Sequence, residues 1–170
     1  PYPVNRAGVV IHSAVLEARA DVRSVVHTHT RAGMAVSALE CGLLPLCQTA
    51  MGFHDRIGMH EYEGVAFDAS EKARLARDLG PHRAMILRNH GLLTASDSVA
   101  HALDLMINLD RACRVQLDAL ATGRELVLPS EEVCQFAAGQ YDDYCKSSRR
   151  DAGWAGHLRL LDRIDPSFRD

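Results

Sequence analysis

A run of β-branched and apolar residues leads into two histidines in the stretch Ser24-Val25-Val26-His27-Thr28-His29. Such residues favour a β-strand, and in a strand the side chains of residues i and i+2 point to the same side. The imidazoles of His27 and His29 would then lie close enough to share a metal ion. Two histidines in this pattern are also common as ordinary polar side chains, so the spacing alone leaves both interpretations open.

A third histidine, His90, stands in the sequence Asn89-His90-Gly91, directly after the apolar run 84–87. A neighbouring strand could bring His90 next to His27 and His29. Three imidazoles with no fourth protein ligand leave an open coordination position, which is typical of catalytic rather than structural zinc sites. We therefore take His27, His29 and His90 as candidate metal ligands.

Length and composition limit the classes of protein to consider. A chain of 170 residues is long enough for one domain with a sizeable core. The apolar content of 47% and charged content of 24% are ordinary for a soluble globular protein. A net charge of −3 shows no basic excess, which argues against binding to nucleic acid or to an anionic membrane. No apolar stretch approaches the roughly 18 residues that a membrane span needs.

The cysteines and the first residues bear on location and completeness. Five cysteines are an odd number without C-x-x-C spacing, which argues against a disulfide framework and a cysteine-based zinc site. We therefore expect a reducing, cytoplasmic compartment. The first four residues, Pro1 to Val4, resemble mid-chain sequence, so we expect an N-terminal portion to precede them.

The hydrophobic periodicity predicts alternating helices and strands. Helices are expected over 9–20, 32–40, 70–79, 98–121, from 129 onward and over 154–164, and extended segments over 22–30, 43–49, 84–87 and 92–95. Within these helices, we expect His12 to be hydrogen-bonded in or near the core. We expect His101 to be exposed, because it lies off the apolar stripe of its helix.

The segment 51–64 is interpreted as loop-rich and carries the densest group of polar side chains in the chain. Binding groups often lie on loops near a site, although a solvated connection would have the same composition. The chemistry-bearing residues of this segment include His54, Asp55, Glu61, Tyr62 and Glu63.

Five motifs together resemble the class II aldolase/adducin family. They are Asn-Arg-Ala-Gly-Val-Val-Ile-His at 5–12, Val-His-Thr-His-Thr at 26–30, Gly-Met-Ala-Val-Ser at 33–37, His-Glu-Tyr-Glu-Gly at 60–64 and Leu-Arg-Asn-His-Gly-Leu-Leu at 87–93. The resemblance runs from about residue 5 to residue 123 and continues more weakly into the C-terminal helices. In combination, the motifs are far more specific than the two spaced histidines alone.

The resemblance implies an α/β fold, a three-layer α/β/α sandwich with a largely antiparallel central sheet. It implies a class II aldolase-like domain over 1–128, with residues 129–170 as a C-terminal helical extension of the same domain. Enzymes of the family bind a divalent metal, usually zinc, through the positions of His27, His29 and His90. The metal polarises a substrate carbonyl and stabilises an enediolate. Many members are homotetramers with the active site near a subunit interface.

One departure from the family is as informative as the match. The aldolases carry an acid/base carboxylate four residues before the position of His12, and here that position is Gly8. Losing a general acid/base typically costs 10²–10⁴-fold in rate. The N-terminal part that forms much of the phosphate pocket in the sugar-phosphate enzymes is also not in this chain. The resemblance therefore supports the metal site more strongly than a sugar-phosphate aldolase activity.

Three functional interpretations remain open at this point. The first is a metal-dependent, aldolase-like lyase acting on a small carbonyl or hydroxy substrate through enolate stabilisation, with Glu61, Tyr62 and Glu63 as catalytic candidates. The second is a non-catalytic binding or scaffold module that retains a metal site. The third is that all three histidines are structural and bind no metal. For each, we expect a homo-oligomer, by resemblance a tetramer.

Overall fold

The computed structural model describes residues 3–66, 68–147 and 151–169. These ranges contain seven helices and four strands, and a short 3₁₀ turn, Pro166–Arg169, follows the last helix. The helices are α1 (Arg6–Ala18), α2 (Arg31–Ser37), α3 (Gln48–Met51), α4 (Glu71–Leu79), α5 (Val99–Ala121), α6 (Glu131–Lys146) and α7 (Trp154–Ile164). The strands are β1 (Ser24–Thr28), β2 (Ile57–His60), β3 (Ala84–Leu87) and β4 (Gly91–Ser96).

The four strands form one mixed sheet in the order β1-β4-β3-β2. Strand β4 pairs antiparallel with both β1 and β3, whereas β2 and β3 are parallel. Thr28 pairs with Leu92, and Leu87 pairs with Gly91. The turn between β3 and β4 therefore lies beside the carboxyl end of β1, at one edge of the sheet.

Both faces of the sheet are buried. Met85, Leu87, Leu93 and Ala95 pack with residues of α1 and α4, whereas Ala84, Ile86 and Leu92 pack with residues of α2 and α5. Burial on both faces explains why β3 and β4 are apolar without an alternating pattern. The fold is thus mixed α/β, with helices packed against each side of a four-stranded mixed sheet.

Side chains cap the helices that surround the sheet. Asn5 accepts a hydrogen bond from the main-chain nitrogen of Gly8 at the start of α1, and Thr30 does the same for Gly33 in α2. Ser98 and Ser130 cap α5 and α6. Each cap satisfies a donor that the first turn of a helix leaves unpaired. The cap at Thr30 matters most for the site, because Thr30 directly follows His29.

Several expected elements need correction. The segment 43–49 was expected to be extended, but it forms no strand and α3 begins at Gln48. The segment 51–64 is not simply a loop, because it contains β2, which gains its hydrogen bonds by parallel pairing with β3. The expected strand 22–30 shortens to β1, and α2 ends at Ser37 rather than at residue 40.

His101 was expected to be exposed and is instead 1% exposed. Its Nδ1 atom lies 2.9 Å from the hydroxyl of Ser96, the last residue of β4. A buried imidazole needs such a partner, and the partner comes from another element. Among the described helices, none has the length and apolar character that crossing a bilayer requires.

Candidate metal centre

The sheet brings together three histidines that lie far apart in the sequence. His27 lies near the end of β1, His29 follows that strand, and His90 lies in the turn between β3 and β4. Because Thr28 pairs with Leu92, the end of β1 and the turn that contains His90 lie side by side. His27 and His29, at the end of β1, therefore meet His90 at the same edge of the sheet.

The three imidazoles surround a common point. The ring centroids are 4.8 Å apart for His27 and His29, 4.9 Å for His27 and His90, and 4.6 Å for His29 and His90. The Nε2 atoms of His27 and His29 are 2.9 Å apart. One ring nitrogen from each histidine lies within 4.8 Å of the other two, a separation at which the three can hold one ion.

A main-chain contact fixes the tautomer of His27. Its Nδ1 atom lies 2.9 Å from the carbonyl oxygen of Leu92. A carbonyl oxygen only accepts hydrogen bonds, so Nδ1 carries the hydrogen and Nε2 of the neutral ring carries the lone pair. That lone pair is on the side of His29. A hydrogen bond of this kind at the distal ring nitrogen is the usual support of a metal-binding histidine.

The local electrostatics favour the neutral form of two of these rings. Burial, helped by the charges of His90 and His29 and opposed by the Leu92 carbonyl, lowers the pKa of His27 to about 4. Burial, followed by the charges of His29 and His60, also lowers the pKa of His90. Only a neutral imidazole has a lone pair to donate to a metal. The donor set therefore fits a divalent metal ion.

Gly91 allows the strands to approach at this edge. A Cβ atom at Gly91 would lie 2.3 Å from the carbonyl oxygen of Thr28 and 3.2 Å from Cδ2 of His29. Asn89, two residues earlier, has a φ of 52°, in the left-handed region that asparagine tolerates better than most residues. The sequence suggested a turn at this motif, and the structure adds that only glycine fits against β1.

The three candidate catalytic residues lie in different surroundings. The Tyr62 ring is centred 6.4 Å from the His90 ring and is 53% exposed. The Glu61 carboxylate lies 3.5 Å from Nε of Arg88 and is largely exposed. Glu63 accepts hydrogen bonds from Arg74, which also lowers the pKa of its carboxyl. Tyr62 is thus beside the histidines, whereas Glu63 is engaged elsewhere.

His54 and Asp55 do not join the three histidines. The Nε2 atom of His54 lies 3.0 Å from Oε1 of Glu131, at the start of α6. Asp55 lies nearby, with its carboxylate 3.9 Å from the same nitrogen. These three residues form a separate group with ligand-type atoms, located on the surface where the segment before β2 meets α6.

Two further histidines lie near the centre. His12 is half-buried on α1, burial lowers its pKa, and its charge is among those that act on His27. His60 is buried, with Nδ1 2.7 Å from Asp78 and Nε2 3.4 Å from Glu71. These partners of His60 could not be predicted from the sequence, because both carboxylates come from α4.

Proteins with known structures share this fold. An aldolase II superfamily protein from Pseudomonas syringae is 45% identical, with a TM-score of 0.92, over 98% of this chain and 67% of that chain. An L-fuculose 1-phosphate aldolase from Glaciozyma antarctica is 26% identical, with a TM-score of 0.77, over 96% of this chain and 61% of that chain. Both support an aldolase-like fold for this protein.

Part of the chain is also similar to an adducin. The alpha-adducin of Mus musculus is 45% identical over 120 residues, which cover 70% of this chain and 16% of the adducin. This chain also spans 66% of the length of two bacterial relatives that carry the name of class 2 aldolases. The similarity thus concerns one part of longer proteins.

A sequence profile of the Class II Aldolase and Adducin N-terminal domain matches residues 1–117. That range contains all three histidines, the turn 88–90 and the four strands of the sheet. The family resemblance drawn from the motifs is confirmed by this match and by the relatives above: the chain belongs to the class II aldolase/adducin family.

Proposed function

We propose that this chain forms the metal-binding part of an aldolase-like lyase. The observation that supports the proposal most strongly is the convergence of three imidazoles at one edge of the sheet. No protein carboxylate completes this set among the described residues, so a fourth position would stay open for substrate. A domain of this size with two buried core clusters has no need of a metal to fold.

The residues divide into those that hold the ion and those that face the substrate. His27, His29 and His90 are the proposed ligands. A divalent ion held there would act as a Lewis acid, polarising a substrate carbonyl so that the adjacent carbon can take up negative charge. Tyr62 borders the His90 ring and carries a phenolic proton, so it is our first candidate for proton transfer. Glu61 is the second candidate, and Glu63 the third, because Arg74 holds its carboxylate.

Gly8 bears on the choice of substrate. It lies one helical turn before His12 on the same face of α1, and its lack of a side chain removes any acid or base from that position. The Glaciozyma antarctica relative is named for the cleavage of L-fuculose 1-phosphate. For this chain we propose a small carbonyl or hydroxy compound instead, with little or no cleavage of sugar phosphates.

Gly8 also favours a second candidate function, a binding or scaffold module that retains the metal site without catalysis. The similarity to alpha-adducin supports this alternative, since a shared fold does not imply a shared activity. The two candidates differ in one measurable respect. Both require metal at the three histidines, but only the first requires turnover of a substrate.

We propose zinc as the ion, because three imidazoles suit it. By analogy with the family, we propose a homotetramer as the assembly. Five free cysteines favour the reducing cytoplasm. We propose a largely antiparallel three-layer sandwich over residues 1–128, with residues 129–170 as its helical extension. Packing of α3 on α6, and the ion pair of Arg56 with Asp142, support that extension.

The experiment that tests the proposal combines metal loading with a substrate screen. The chain would be purified without chelator or nickel resin, loaded with zinc, and assayed against hydroxy-carbonyl and hydroxy-acid compounds. His90→Ala serves as the matched control, because it removes one proposed ligand from a half-buried turn and leaves the core unchanged. Turnover by the wild type and its loss in the variant would support the lyase. Stoichiometric metal without turnover would support the binding module.

A further inference from the structure

Helix α2 connects the two halves of the candidate metal centre. Its first residue, Arg31, follows His29 by two positions, and Thr30 caps the first turn through Gly33. At the other end, the carbonyl of Ser37 accepts a hydrogen bond of 3.2 Å from the main-chain nitrogen of Asn89. Helix α2 therefore begins near His29 and ends against Asn89, the residue that precedes His90.

Arg88 completes the contact between α2 and the turn that contains His90. Its guanidinium donates to the carbonyl oxygens of Leu39 and Glu40, which follow the end of α2. Leu39 and Glu40 lie beyond Ser37, the last residue of α2. Arg88 thus ties the segment that follows α2 to the turn that contains His90.

The same arginine is held on a second side. Its main-chain nitrogen donates to the carbonyl of His60, at 2.8 Å, and its Nε lies 3.5 Å from Glu61. The side chain of Arg88 is 19% exposed, and its hydrogen bond to Leu39 is partly buried. A planar guanidinium offers several donors in a fixed fork, which suits it to joining several acceptors rigidly. Arg88 therefore links the end of β2, the end of α2 and the turn 88–90.

We propose that Arg88 is a positioning residue of the metal centre, which together with α2 fixes His90 relative to His27 and His29. This inference rests on the proposed metal site. Its basis is that Arg88 is two residues from His90 in a tight turn, so the hydrogen bonds that hold Arg88 also restrain the turn that contains this ligand. Removing an outer group that orients a metal ligand typically lowers the metal affinity by about 10–100-fold.

A matched control exists at the opposite end of the sheet. Arg19 donates to the carbonyls of Gly80 and His82, at 2.7 and 3.1 Å, and also pairs with a surface carboxylate, Asp21. Its side chain is 18% exposed, close to the value for Arg88. Like Arg88, Arg19 thus joins separate segments of the chain through main-chain carbonyls. It does so near the start of β3, whereas Arg88 lies near its end. Arg19→Ala removes equivalent hydrogen bonds far from the three histidines.

The test measures metal affinity in the wild type, Arg88→Ala, Arg88→Lys and Arg19→Ala, by competition of zinc against a chromogenic chelator. We expect Arg88→Ala to weaken binding by on the order of 10–100-fold. Arg88→Lys should recover part of the loss, because an ammonium still reaches one carbonyl. Arg19→Ala should stay within about twofold of the wild type, although it also loses thermal stability. Equal affinity of Arg88→Ala and Arg19→Ala would overturn the proposal.

A second measurement, on metal-free protein, separates failure of this inference from failure of the proposed function. Amide hydrogen exchange at Asn89 and His90 should accelerate in Arg88→Ala and remain unchanged in Arg19→Ala. If the wild type binds no metal, the proposed function fails, while faster exchange would still establish that Arg88 orders the turn. If exchange at both amides is unaffected by Arg88→Ala, Arg88 does not position His90, whatever the wild type binds.

Discussion

The Nδ1 atom of His27 lies 2.9 Å from the main-chain oxygen of Leu92 on the neighbouring strand. This contact ties the orientation of one imidazole to the pairing of β1 with β4, because Leu92 is the partner of Thr28 in that ladder. The strand pairing that builds the core therefore also orients the first ring of the candidate metal centre. Changes that separate these two strands should affect stability and metal binding together.

Gly91→Ala is the most direct way to separate them. The new Cβ would lie 2.3 Å from the carbonyl oxygen of Thr28, a contact that the main chain must move to relieve. We expect a loss of about 1–3 kcal/mol in the free energy of unfolding, as for overpacked interiors, together with weaker zinc binding. Urea unfolding and zinc competition measure the two effects.

Gly139→Ala is the control for this substitution. Gly139 lies within α6, and a Cβ there would have no neighbour within 4 Å. Replacing a helical glycine by alanine should stabilise the protein by about 0.5–1 kcal/mol. If Gly91→Ala behaved like Gly139→Ala, with full stability and unchanged metal affinity, the close approach of β1 and β4 would be unimportant for both stability and metal binding.

Gly8→Glu tests whether the missing carboxylate explains the expected lack of sugar-phosphate cleavage. A Cβ at Gly8 would lie 3.7 Å from Asn5, which is ordinary contact, so the backbone has room. Gly8 is the third residue of α1, where a glutamate can complete a capping box with the N-cap Asn5. We therefore expect a gain of roughly 1 kcal/mol in stability and some cleavage of L-fuculose 1-phosphate.

Gly8→Gln separates the two consequences. Glutamine can also complete the capping box, so its thermal stability should rise as well, but it cannot exchange a proton. Only the glutamate variant should gain activity. Cleavage of a ketose phosphate by the wild type at an ordinary enzymatic rate, of order 1–10³ s⁻¹, would refute the role assigned to Gly8.

The sequence predicted that the three histidines lie close together, and it predicted less of the contacts that surround them. The two-residue period of a strand places His27 and His29 on one side, and the glycine after His90 indicates a turn. The contacts of Arg88 could not be predicted, because main-chain carbonyls such as that of Leu39 leave no mark in the sequence. His101 was wrongly expected to be exposed, since Ser96, its partner, belongs to a different element.

Cys113 should react less readily with an alkylating reagent than the exposed Cys41. Burial, followed by the charge of Asp110, raises the pKa of Cys113 to about 12, and the thiolate is the reactive form. Cys41, in contrast, is exposed. Native protein treated with iodoacetamide at pH 8 should be labelled at Cys41 and remain unlabelled at Cys113 by mass spectrometry. Equal labelling of both before unfolding would place α5 outside the core.

Asp21 should contribute to the free energy of unfolding, and this contribution should be lost in acid. The hydrogen bond from Arg19 lowers the pKa of Asp21 to about 2, whereas the unfolded carboxyl titrates near 3.8. Between these values the unfolded chain binds more protons, so the contribution is present above pH 4 and disappears as the pH falls to 2. Because Asp21 is exposed, we expect less than about 1 kcal/mol.

Asp21→Asn provides the corresponding measurement. Its urea unfolding curve should lie below that of the wild type at pH 7, and the two should approach each other near pH 2. A difference that stays constant across this range would mean that the carboxylate charge is not responsible.

We propose that His27, His29 and His90 together hold one divalent ion. The measurement that tests it most directly is the metal content of the chain after zinc loading and removal of unbound ion, compared with the triple variant His27→Ala, His29→Ala, His90→Ala. Circular dichroism of both proteins would verify that the fold is retained. We predict one zinc per wild-type chain and none in the variant. A wild type without zinc, or a folded triple variant that retains a full equivalent, would contradict the account.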